Sequence, residues 1–130
     1  AEMMENWGYE RLGKITRKES IEEMVHAEKL LHRMLYFDAS PNMSELFPLR
    51  IGQTVKEQIE NDLELEYAAV PRLNKAINAA VAAGDNGSRD LFESILKDEE
   101  HHVDYLEAQL HMIKEMGYEN YLAQNMKEDE

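Results

Sequence analysis

Two Glu-x-x-His pairs stand far apart in the chain, Glu23 with His26 and Glu99 with His102, and an isolated acid, Glu66, lies between them. At three-residue spacing a carboxylate and an imidazole share one face of a helix. Stepping from Glu99 by three, four and seven residues meets Phe92, Ile95, Leu96, His102, Val103, Leu106, Leu110 and Ile113, so both polar groups interrupt an apolar stripe. From Glu23 the same steps meet His26, Ala27, Leu30, Met34 and Phe37, and from Glu66 they meet Val55, Ile59, Asp62, Val70, Leu73, Ile77 and Ala80. Polar groups on a core-facing stripe require partners. Carboxylates converging in low dielectric repel one another unless a positive charge lies between them, and a metal cation supplies that charge. Oxygen donors with one imidazole per metal suit iron or manganese. Two Glu-x-x-His pairs plus a further Glu form the di-iron carboxylate pattern of helical bundles.

A plainer interpretation competes at each position. Ser20-Ile21-Glu22-Glu23 reads as a capping box that would start a helix at Ser20 and leave Glu23 a cap and His26 on the surface. Asp98 to His102 reads as a solvated charge run, yet only Glu99 and His102 of that run share the apolar stripe. His101 and His111 lie off that ladder and are expected on the surface. Tyr67 and Tyr105 fall near the ligand levels, where hydrogen-bonded packing is the commoner role and electron donation the rarer one. Of the acids that could steer cations inward, Glu57, Glu60 and Asp62, the first two read as a solvated helix face.

Elements able to position such groups are helices. Only 6 Gly and 3 Pro punctuate the sequence, and the long intervals between them carry three- and four-residue periodicity. The pattern predicts a short helical remnant over about 1–6, long helices over about 11–37, 54–83 and 88–115, and a short one over about 118–127. Asn6-Trp7-Gly8 breaks the first from the second. A long crossover over 38–53 holds Pro41, Pro48 and Gly52, after which Thr54 and Glu57 supply a capping box. Gly84 to Ser88 is a tight turn between antiparallel helices, with Ser88 as the expected N-cap. Each of the three acids falls about 11 to 13 residues into its helix, near the midpoint, so all three meet at one level of a bundle. The first helix is expected to be largely absent from this sequence, because residues 1–6 are good helix formers with neither an N-cap nor an initiator Met. A true three-helix domain is the alternative. Pro71, inside the third predicted helix, is expected to kink it just beyond Glu66 and to threaten that ligand's placement.

Composition narrows the partners. The 130 residues carry 27 acidic and 14 basic side chains, a formal net charge of −13, which disfavours nucleic acid and anionic membranes and favours cations. With no cysteine, thiolate catalysis, disulfides and cysteine metal sites are excluded. Mean hydropathy is −0.62, and no apolar run approaches the roughly 18 residues of a membrane span. Neither a repeat nor a signal peptide is visible, and the chain reads as one domain over 1–130.

These residues resemble the bacterioferritins, the haem-containing branch of the ferritins. The likeness runs through Asn6-Trp7-Gly8, Glu19-Ser20-Ile21-Glu22-Glu23-Met24-Val25-His26-Ala27, Pro41-Asn42, Asp98-Glu99-Glu100-His101-His102-Val103-Asp104-Tyr105-Leu106-Glu107 and Glu119-Asn120-Tyr121-Leu122. It implies an all-α, ferritin-like four-helix bundle with a long crossover and a short C-terminal helix. It implies a ferroxidase in which Glu23 and Glu99 bridge two irons, His26 binds the first, and Glu66 with His102 completes the second. It further implies iron storage in a cytoplasmic homo-oligomer, two-fold dimers assembling into a 24-mer cage.

Met24, one residue past Glu23, is turned about 100° from the ligand stripe, onto a second apolar stripe with Leu31 and Leu35 that implies a subunit partner. The resemblance makes it the axial ligand of a haem b shared between two subunits. Lys18 stands where some members carry a His for an additional iron site on the cavity wall, although Glu22 keeps its acid there. A rubrerythrin-like peroxidase would use the same ligands without Met24 between subunits, and a structural helical assembly would use none of them.

Overall fold

A computed structural model describes residues 1–42 and 49–127. Its helices are α1 (Glu2–Asn6), α2 (Glu10–Tyr36), α3 (Val55–Ala82), α4 (Asn86–Met116) and α5 (Tyr118–Gln124). All five predicted helices are present and no strand occurs among the described residues. Pro48, expected in the crossover, lies outside them.

Local chemistry explains the boundaries. Thr54 caps α3, its Oγ1 accepting from the Glu57 backbone N–H at 3.1 Å, while Glu57 reaches back to accept from the N–H of Gln53 at 2.7 Å. At the start of α4 the expected cap is displaced. Asp85, not Ser88, is the N-cap, accepting from the Ser88 backbone N–H at 3.1 Å, and the helix begins two residues earlier than predicted. A carboxylate there both satisfies the helix end and holds Arg33 of α2. The helix predicted to run to about 127 ends at Gln124, where the buried Asn125 side chain donates back to the Tyr121 carbonyl at 2.8 Å.

Two expectations concern helix interruption. Ser20 lies mid-helix in α2, ten residues after its first residue, so it starts nothing and the capping-box reading of Glu23 fails. Pro71 sits inside α3, which continues unbroken to Ala82. Tyr67 and Pro71 both lie on the solvent side of the helix, where water can take the carbonyl that proline leaves unpaired.

Named contacts give the topology. Arg33 meets Asp85 and Ser88 while His26 meets Asp98 and Glu99, so α2 and α4 are antiparallel. Lys56 meets Tyr118 while Tyr67 meets Glu107, so α3 and α4 are antiparallel too. α2 and α3 therefore run in the same sense, which is why a long crossover must join them. Core residues Leu12, Val55, Ile59, Leu63, Leu106, Ile113 and Tyr121 interlock at one end, with Met4 of α1 tucked among them. Burying a side chain of this size stabilises the fold by about 1.5–3 kcal/mol. α1 crosses α2 so closely at Gly13 that a Cβ there would lie 2.5 Å from Glu5 Cγ, and Arg17 ties the two helices through Glu2 and Glu5. No helix among the described residues is long and apolar enough to cross a membrane.

Candidate metal centre

Three helices deliver the predicted acids to one level. Glu23 of α2, Glu66 of α3, and Glu99 and His102 of α4 each place one ligand-capable atom within 4.8 Å of all the others. Glu99 and His102 are buried. Glu66 is half-buried, and the Glu23 side chain is 45% exposed because the α2–α3 side of the bundle is open. His26 borders the group: its Nδ1 lies 3.0 Å from Oε1 of Glu99 and 3.8 Å from Oε2 of Glu23. Across the cluster, Nδ1 of His102 lies 3.2 Å from Oε1 of Glu23 and 3.9 Å from Oε1 of Glu66. Glu23 thus turns one oxygen toward each imidazole.

The cluster forms the floor of a cleft of about 350 Å³, whose acidic walls add Glu19 and Asp62. Burial, reinforced by the charge of Glu23 and opposed by His102, pushes the Glu66 carboxyl up to about 7. Glu19 is likewise raised to about 7, by burial first and with His102 pulling the other way, and burial raises Asp62. Burial alone would depress His102, but the Glu22 hydrogen bond and the charges of Glu19, Glu66 and Glu23 outweigh it and raise the imidazole. Glu66 Oε2 is buried with no hydrogen-bond partner. An orphaned carboxylate oxygen among crowded acids is the condition a bound cation relieves. Hard oxygen donors with imidazole nitrogen fit iron or manganese.

Other expectations divide. His101 and His111 are exposed, as their register requires. Tyr67 is 51% exposed and donates to Glu107 Oε1 at 2.6 Å on the outer surface, so it is not near the cluster. Tyr105 packs against the core, where burial raises its hydroxyl to about 12. Glu57 serves as a cap and Glu60 pairs with Lys56, whereas Asp62 faces the cleft. Met34 and Phe37, expected to face the core below His26, are 40% and 55% exposed. Arg33 stands over the Phe37 ring and turns that end of α2 toward α4 instead. Met24 is 63% exposed and Leu35 54%, while Leu31 is half-buried.

Sequence reasoning missed Glu19, although it lies one helical turn before Glu23 on the same face. It also missed Asp98, whose Oδ2 lies 2.8 Å from Nε2 of His26, because that partnership crosses between helices.

A bundle with a crossover and a mid-height acid and imidazole cluster defines a ferritin-like domain, and the family model of that description matches residues 1–116. Among curated relatives, the bacterioferritin of Mycobacterium avium is 47% identical over 95% of this chain and 78% of its own length. That of Brucella melitensis is 45% identical over 92% and 74%, and that of Streptomyces coelicolor 45% over 95% and 74%. The chain belongs to the bacterioferritin family.

Proposed function

We propose that this protein stores iron and is a ferroxidase, oxidising Fe(II) with O2 or peroxide at a dinuclear centre. The observation that carries the proposal is the convergence of Glu23, Glu66, Glu99 and His102 from three helices, with one Glu66 oxygen left without a partner. Glu23 and Glu99 would lie between two metal ions, His26 would hold one, and Glu66 with His102 would hold the other. Fe(II) bound there supplies the electrons. The chain's own residues keep the cations close, neutralise their charge and fix one imidazole at each end. Glu19 and Asp62 line the cleft above and raise the local concentration of cations by their charge.

The exposed apolar stripe of Ile21, Met24 and Leu35 on α2 supports a two-fold subunit interface in a homo-oligomer, where the Met24 thioether would help to hold a haem b between copies. Assembly into a cytoplasmic 24-mer cage completes the proposal. Aerobic addition of Fe(II) tests the chemistry. Ferric absorbance and retained iron are expected in the unsubstituted chain and not in the Glu23→Ala, Glu99→Ala double variant. Equal retention by both would remove the ferroxidase reading.

A further inference from the structure

The turn between α3 and α4 carries the chain's one Asn-Gly pair: of eight asparagines, only Asn86 is followed by glycine. Asn86 is the first residue of α4 and is exposed, and its side chain makes no hydrogen bond among the described residues. Inside a helix the N–H of the following residue is tied to a carbonyl four positions back, but the N–H groups of the first turn have no such partner. Asp85 accepts from the Ser88 N–H through its side chain and from the Arg89 N–H through its carbonyl, each at 3.1 Å. The Gly87 N–H between them is left unpaired among the described residues. Gly87 has no Cβ to shield that nitrogen, and a Cβ there would lie 2.5 Å from Nη2 of Arg33. The guanidinium therefore sits beside a free amide, where its positive charge favours loss of the amide proton.

We propose that Asn86 is a site of spontaneous deamidation through a succinimide, and that isoaspartate formed there releases the end of α2 from the α3–α4 turn. The Gly87 nitrogen gives its proton to solvent base and attacks Cγ of Asn86. The Cγ–Nδ2 bond breaks, and Nδ2 leaves as ammonia with a proton from water. Water then opens the succinimide ring at either carbonyl, leaving aspartate or isoaspartate at position 86. Arg33 grips both sides of this position, with Nη2 2.8 Å from Asp85 Oδ1 and Nε 3.0 Å from Ser88 Oγ. Isoaspartate routes the main chain through the side-chain carboxyl and adds a methylene between those two residues. Asp85 and Ser88 then no longer stand where one guanidinium reaches both. Aspartate keeps the backbone and adds a negative charge to the first turn, where the helix dipole favours it. The reaction involves no metal, so it stands apart from the metal-centre reading.

Incubation of the full chain at pH 8, beside the same chain unfolded in urea, tests the site. Fragmentation mass spectrometry locates each amide lost, and methyl transfer from S-adenosylmethionine by an L-isoaspartyl methyltransferase detects isoaspartate. In the folded chain position 86 should convert ahead of every other asparagine, and Asn86→Gln should remove that conversion. The deamidated fraction, separated by anion exchange, should melt at least about 5 °C below the unreacted chain and recover once the methyltransferase has converted isoaspartate to aspartate. Asn86→Asp should melt with the unreacted chain. In an Arg33→Ala background the loss should shrink, since the grip is already gone. A folded chain that stays intact at position 86 while the unfolded chain converts there overturns the site. A deamidated fraction that melts with the unreacted chain overturns the release.

Discussion

Glu66 and His102 face each other across the α3–α4 interface, with Oε1 of the acid 3.9 Å from Nδ1 of the imidazole and Oε2 of the same acid buried without a partner. A side chain held this way is half-used by the metal-free fold. Burial raises its proton affinity, with the charge of Glu23 adding to the effect and His102 opposing it.

The pH dependence of metal-free stability follows. Glu66 and Glu19 have folded-state values near 7 against 4.5 in the unfolded chain, so the folded state binds more protons between those values and loses stability as pH rises through that window. His102, raised from 6.5, acts in the same direction, its contribution being lost as pH rises through its folded-state value. Metal-free Tm should be higher at pH 5 than at pH 8. Saturating Co(II) or Mn(II) at pH 8 should recover the difference, because the cation replaces the protons. A Tm that rises from pH 5 to pH 8 without metal would contradict this assignment.

Glu66→Gln separates stability from function. Removing a carboxyl whose ionisation is disfavoured should stabilise the metal-free chain at pH 8 by on the order of 1–2 kcal/mol and leave it little changed at pH 5. Ferrous oxidation should fall at least tenfold. Urea unfolding at the two pH values, with stopped-flow ferric absorbance, measures both.

Arg33 joins the end of α2 to the α3–α4 turn, donating from Nε to Ser88 Oγ at 3.0 Å and from Nη2 to Asp85 Oδ1 at 2.8 Å. Arg33→Ala should cost about 1–3 kcal/mol through these charge-assisted bonds and the lost cover over Tyr36 and Phe37. By comparison, Leu106→Ala in the core should cost about 2–5 kcal/mol. Denaturant midpoints check the order.

Met24→Leu preserves the apolar character of the α2 stripe and removes the sulfur. The variant should sediment as the unsubstituted protein does and lose bound-haem absorbance. Loss of assembly with haem retained would contradict the role proposed for Met24.

How much of this was legible in the sequence depends on whether a residue's role lies along its own helix or across to another. Glu99 and His102 stand out because they break an apolar ladder of their own helix, and both are buried. Glu66 is found the same way, and it reaches the cluster although Pro71 lies within the same unbroken helix. Met34 and Phe37 share the ladder of Glu23 and are nevertheless exposed, since periodicity identifies a face but not what covers it. Asp85 displaces Ser88 as the cap because Arg33, 52 positions earlier, also binds it. Asp98 reads as part of a solvated charge run until α2 and α4 are brought together. Glu19 was within reach, four residues before Glu23, but the depth of the cleft that raises its proton affinity is a property of the bundle.

Anomalous diffraction from crystals soaked anaerobically in Fe(II) tests the central claim most directly. The account predicts iron peaks between Glu23, Glu66, Glu99 and His102 and beside His26, with the Glu66 Oε2 atom turned onto a metal. Iron found only on outer acids such as Glu107 or Glu60, with this cluster empty, would contradict it.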